Sequence, residues 1–154
     1  MESELERNAQ EWFRFMVDTN LAPGLRALGF FGVGRRFRIE SNRHWGEIVV
    51  EQTRSFTERA VRFTVRVGVI SRDEWAHQLR VRPYYPVSRH APPPTKTAGA
   101  GWEAPIGELV TVAGFPIGEL WWELEAGKPF DSLSREVLSA VREFALPAMR
   151  ERMA

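Results

Sequence analysis

The sequence predicts an α+β fold: an antiparallel meander sheet of about four strands, with N- and C-terminal helices packed on one face. Three observations lead there. Val61, Phe63, Val65, Val67 and Val69 alternate strictly with Arg62, Thr64 and Arg66, the period of a half-buried strand. Apolar residues near both ends of the chain recur instead at helical spacing. The links between the strand-like segments are short, which favours antiparallel neighbours.

Taken in order, Ser3 and Glu6 form a capping box that opens the first helix. Leu5, Ala9, Trp12, Phe13, Met16 and Val17 supply its apolar stripe. Asp18-Thr19-Asn20 is expected to end it and cap a short second helix, with Pro23 in that helix's first turn and Gly29 as its stop. Val33, Arg35, Phe37 and Ile39 then alternate with Gly34, Arg36, Arg38 and Glu40 as a first strand. A second strand runs from about Trp45 to Thr53, and Val61–Val69 is the third. Ser71-Arg72-Asp73-Glu74 is a second capping box, opening a helix with Trp75 and Leu79. Ile106–Val112 fits a strand or a helical turn equally well. Gly118–Leu124 reads as the fourth strand. Asp131 or Ser132 caps a final helix with the stripe Leu133, Val137, Val141, Ala145 and Met149, which Pro147 should kink.

The 154 residues suit a single domain, 1–154, and no composition shift divides it. Residues 80–105 hold Pro83, Pro86 and Pro92-Pro93-Pro94, a loop too long for an ordinary connection. With no cysteine, disulfides, thiolate metal sites and cysteine nucleophiles are excluded. The acidic start has no apolar signal region and no long apolar run follows, so the expectation is a cytoplasmic protein without a membrane partner.

The net charge of +1 is unevenly spread. Residues 35–90 carry 12 arginines, no lysine and 6 acidic residues, a net of +6 between two acidic ends. Such a middle fits an anion-binding face. It equally fits a sheet whose arginines meet carboxylates on flanking helices. Arginine outnumbers lysine 19 to 2, as phosphate or carboxylate capture would favour, and as a GC-rich genome would also produce.

Order and spacing carry a resemblance. Leu25-Arg26-Ala27-Leu28-Gly29-Phe30 precedes a basic strand entering Phe37. Trp45-Gly46 leads to Val49-Val50-Glu51-Gln52-Thr53-Arg54-Ser55, followed by Arg62-Phe63-Thr64-Val65-Arg66-Val67-Gly68-Val69. Ile106-Gly107-Glu108-Leu109 then precedes Trp121-Trp122. Over residues 10–150, roughly, the chain resembles the bacterial domain-of-unknown-function family 4304. The resemblance implies a bacterial source and supports the fold. It brings no activity, cofactor or site residue with it.

No familiar catalytic motif is present: neither a G-x-S-x-G elbow nor a P-loop occurs. His44, His77 and His90 lack helical metal-pair spacing, so no metal or other cofactor is expected. Glu47 and Glu51 share a strand face about 13 Å apart, too far for acid/base work on one bond and well placed for cross-strand arginines. Gln52, Arg54 and Ser55 at a strand end could hold a carboxylate or phosphate, or could satisfy backbone groups and cap a turn. Trp121 and Trp122 must face opposite ways. One belongs to the core, and Trp122 is assigned to the arginine face. There it would serve a nucleobase or protein partner, or pack beneath the 80–105 loop by cation–π contact.

The candidate binding set is therefore Arg36, Arg38, Gln52, Arg54, Ser55, Arg62, Arg66 and Trp122, with no catalytic residue. It predicts a non-catalytic module whose arginine and aromatic sheet face binds another protein or a small anionic ligand. One alternative is nucleic-acid binding by the same face, which the small net charge weakens. Another is a small enzyme with a pocket under the 80–105 loop, using Gln52, Ser55, His90 or the glutamates.

Overall fold

Two helical rods of the same construction pack on one face of a six-stranded antiparallel sheet. The computed structural model describes residues 7–53, 57–81 and 101–154. The first rod starts with α1 (Ala9–Met16), capped by Asn8, whose side-chain oxygen accepts the Glu11 N–H at 2.9 Å. The Ser3–Glu6 capping box lies outside the described residues. Trp12, Phe13 and Met16 are buried, as their spacing predicts.

Asp18-Thr19-Asn20 does not end the helix. The chain passes through a π turn, Val17–Leu21, into α2 (Ala22–Ala27). Pro23 explains the wider turn: it lacks an N–H and its ring crowds the carbonyl four residues back. An extra residue in the turn makes room, and the Ala22 N–H reaches Val17 O instead. Gly29, at φ +102°, then closes the rod. Its N–H bonds Arg26 O while the Phe30 N–H bonds Leu25 O, a Schellman pair that tucks Phe30 into the core.

β1 (Phe31–Val33) and β2 (Arg36–Glu40) form a two-residue hairpin where one continuous strand was expected. Gly34, at φ +67°, permits the reversal. Phe37 and Ile39 still face the helices, whereas Val33 and Phe31 are turned to the other side and exposed. β3 (His44–Gln52) and β4 (Ala60–Ser71) complete the meander. On β4 the row Val61, Phe63, Val65, Val67 and Val69 is wholly buried beneath both rods. Ser71 Oγ accepts the Glu74 N–H at 2.9 Å, so the second capping box opens α3 (Arg72–Val81) as predicted.

β5 (Trp102–Pro105) pairs with residues 66–69 of β4. A 3-10 turn (Ile106–Glu108) leads to a separate hairpin, β6 (Thr111–Val112) and β7 (Phe115–Pro116). The strand expected from Gly118 is shorter, β8 (Trp122–Glu125), and pairs with residues 60–63 of β4. β5 and β8 thus share one side of β4 end to end, and the sheet has six strands where about four were predicted. Of the proline-rich stretch, residues 82–100 lie outside the described residues, including Tyr84, Tyr85 and His90.

The last rod repeats the first: α4 (Asp131–Ala140), a π turn (Val141–Ala145) and α5 (Leu146–Met153). The kink expected at Pro147 takes this form, with the Leu146 N–H reaching Val141 O. The helix opens without a side-chain cap from Asp131 or Ser132. Asp131 is engaged elsewhere, accepting from Asn20 Nδ2 at 3.1 Å, which also reaches Ser134 Oγ and ties the rods together. Among the described residues, no helix is long and apolar enough to cross a membrane.

Candidate functional site

Strand alternation decides which residues face away from the rods. Register places Phe31 and Val33, then Arg36, Arg38 and Glu40, then Trp45, Glu47, Val49 and Glu51 on this outer face. β4 adds Arg62, Thr64, Arg66 and Ile70. The arginines predicted to share a face therefore do so. They meet carboxylates from neighbouring strands, not from flanking helices. Arg36 Nη2 lies 3.1 Å and Arg38 Nε 3.5 Å from opposite oxygens of Glu47. Arg66 Nε lies 3.1 Å from Glu51. At the far end Arg72 pairs with Glu40 at 3.0 Å and covers the buried Trp45 ring at 4.6 Å.

Glu47 is the pivot of this ladder. Burial pushes its carboxyl above the ordinary glutamate value, while Arg36 and Arg38 pull it down and Glu103 adds to the rise. A basic, anion-hungry face does not result. The face alternates in sign across β2, β3 and β4, with Arg36, Arg38 and Arg66 already compensated.

Trp122 is not on this face. It pairs with Phe63, stacks on that ring at 5.8 Å and is buried among the core residues. Trp121 is the outward one, with the Arg62 guanidinium 5.9 Å from its ring centre. Alternation forces the pair apart, but the register with β4 chooses which goes in. Gln52 is likewise on the helix side, where its amide and that of Gln10 exchange two hydrogen bonds. Arg54 and Ser55 lie outside the described residues. Arg36, Arg38, Arg62 and Arg66 are thus the members of the predicted set that the fold gathers on one face.

Part of the outer face is covered by the segment before β8. Thr64 Oγ1 donates to Leu120 O at 2.6 Å, which leaves Thr64 buried. This segment is anchored where Gly118 N–H bonds Gly107 O at 3.0 Å. A Cβ at Gly107 would stand 1.9 Å from the Gly118 carbonyl oxygen, so the approach requires glycine.

One depression of about 340 Å³ went unread in the sequence. His44, Ser71, Glu74, Trp102 and Arg152 line it, with Arg152 stacked 3.8 Å over the Trp102 ring. The Nδ1 of His44 is buried there without a hydrogen bond. His44, Ser71 and Trp102 meet through the pairing of β3, β4 and β5, Glu74 and Arg152 come from α3 and α5, and no motif announces them. His77 is exposed on α3, and the described residues contain no cluster of three metal-ligating side chains.

The family described as Domain of unknown function (DUF4304) matches residues 21–151. No curated protein and no solved structure matches the chain.

Proposed function

The chain belongs to the DUF4304 family, and we propose that it is a non-catalytic protein-interaction module of the bacterial cytoplasm. The observation that carries this reading is the outer face itself. Arg36, Arg38 and Arg66 are matched by Glu47 and Glu51, while Phe31 and Val33 on the same face are held out in water. Val33 is 77% exposed, and on the separate β6–β7 hairpin Phe115 is 75% and Val112 66% exposed. Exposed apolar side chains beside compensated charges are the composition of a protein–protein contact. Nucleic acid is the poorer fit, since phosphates would have to displace two carboxylates to reach the same guanidinium groups. A catalytic use of Gln52 is poorer still, because its amide is occupied by Gln10.

The test is affinity capture from the native host, comparing wild type, a tag-only control and a combined Phe31→Asp, Val33→Asp, Val112→Asp, Phe115→Asp variant. A partner enriched by wild type and lost by the variant is expected. No partner above the control overturns the reading, and equal capture by both proteins overturns the assigned surface.

A further inference from the structure

We propose that the β6–β7 hairpin, with Glu108 and Glu119 flanking it in the chain, docks a cationic amphipathic segment of a partner protein. The proposal rests on the interaction-module reading and gives that reading a site and a partner chemistry.

The hairpin is built to stand out rigidly. Its turn, Ala113-Gly114, has both residues at positive φ, +53° and +85°, the combination that matches strand twist in a two-residue hairpin. Alanine is uncommon in that region. Val112 pairs directly with Phe115, and the Ile117 N–H bonds Val110 O at 3.0 Å, extending the ladder by one pair. Two-residue periodicity then sets Val110, Val112, Phe115 and Ile117 on one face. Val110 is half-buried against the core, and the other three reach outward. A ribbon this short does not hold itself together. It is held by its root, through the Gly107–Gly118 contact and the Thr64–Leu120 hydrogen bond. Such a preformed tip loses little freedom on docking.

Charge selects the occupant. Residues 101–127 contain five glutamates and no lysine or arginine. All five, Glu103, Glu108, Glu119, Glu123 and Glu125, are exposed; Glu125 is paired with Lys128 at 2.6 Å, and Glu108 and Glu119 are the two that flank the hairpin in the chain. An apolar tip in a negative field favours a segment carrying lysine or arginine around an apolar centre. A second copy of the chain is the weaker occupant, because Arg36, Arg38 and Arg66 of its own sheet face are already compensated by Glu47 and Glu51 and Arg62 is set over Trp121.

The experiment pans a random dodecapeptide phage library against the full chain, then measures the selected peptides by fluorescence anisotropy. Peptides with net positive charge and apolar centres are expected. Val112→Ser with Phe115→Ser should weaken them at least about tenfold, with unchanged circular dichroism. Glu108→Gln with Glu119→Gln should weaken them less and flatten the dependence on salt. Selection of neutral or acidic peptides overturns the proposal, as does binding indifferent to the hairpin variant. So does a concentration-dependent dimer, seen by light scattering, that the hairpin variant dissolves. If host capture persists in the hairpin variant but fails with Phe31→Asp and Val33→Asp, the docking site is wrong and the module reading survives. If wild type captures nothing, the module reading itself fails.

Discussion

Gln10 of α1 and Gln52 of β3 hydrogen-bond each other in both directions, at 2.6 and 2.9 Å. The pair clamps the first helix to the end of the sheet. Both amides are half-buried, so removing one strands the other. Gln52→Ala should cost about 1–2 kcal/mol in urea unfolding while leaving partner capture intact. Loss of capture at unchanged stability would instead return Gln52 to the binding surface.

Gly107 should tolerate no side chain. In Gly107→Ala the added methyl meets the Gly118 carbonyl and the Leu120 N–H, backbone atoms that cannot swing aside. Destabilisation of about 1–3 kcal/mol is expected. Amide exchange should accelerate in residues 115–121 before the rest of the sheet. Uniform acceleration over the whole sheet would show that the segment and the sheet open as one unit.

Glu47 gives the fold a pH dependence of unusual sign for a carboxylate beside arginines. Its value is raised, chiefly by burial, so the folded chain holds this proton more tightly than the unfolded chain does. The Glu47 contribution is therefore greatest below the unfolded-state value and declines as pH rises through the raised one. Denaturant unfolding in steps across the acid range should reveal this downward component in wild type. Glu47→Gln should lack it. Parallel profiles for the two proteins would contradict the assignment.

Arg66 and Glu51 form a rim pair, each side chain 34% exposed. A double-mutant cycle with alanine at both should give a coupling below about 1 kcal/mol that shrinks with added salt. A larger, salt-insensitive coupling would mean that the face is drier than its exposure indicates.

Legibility followed burial. The row from Val61 to Val69 was readable because one side of β4 is apolar and the other polar over its length. The helix stripes were readable for the same reason. The π turns were not, since Pro23 and Pro147 signal disruption without saying how the backbone absorbs it. The β1–β2 hairpin hid inside an unbroken alternation, because Val33 sits outward and Phe37 inward on either side of Gly34. On the surface the four arginines were found, with Glu47 and Glu51 as cross-strand partners, but not the individual pairings. Which glutamate meets which arginine depends on register, and so does the choice between Trp121 and Trp122. The β6–β7 hairpin carries only two paired residues per strand, too few for any periodic signal.

The placement of β5 and β8 along a single flank of β4 also bears on how the molecule assembles. β1 to β4 can zip together through brief connections, so the meander is expected to form first. Until the two later strands arrive from more than thirty residues downstream in one case and fifty in the other, the 12-residue β4 has a raw edge of unsatisfied amides. Another nascent chain can seize that edge. Yield on refolding should consequently fall with protein concentration well before the finished fold shows any tendency to aggregate.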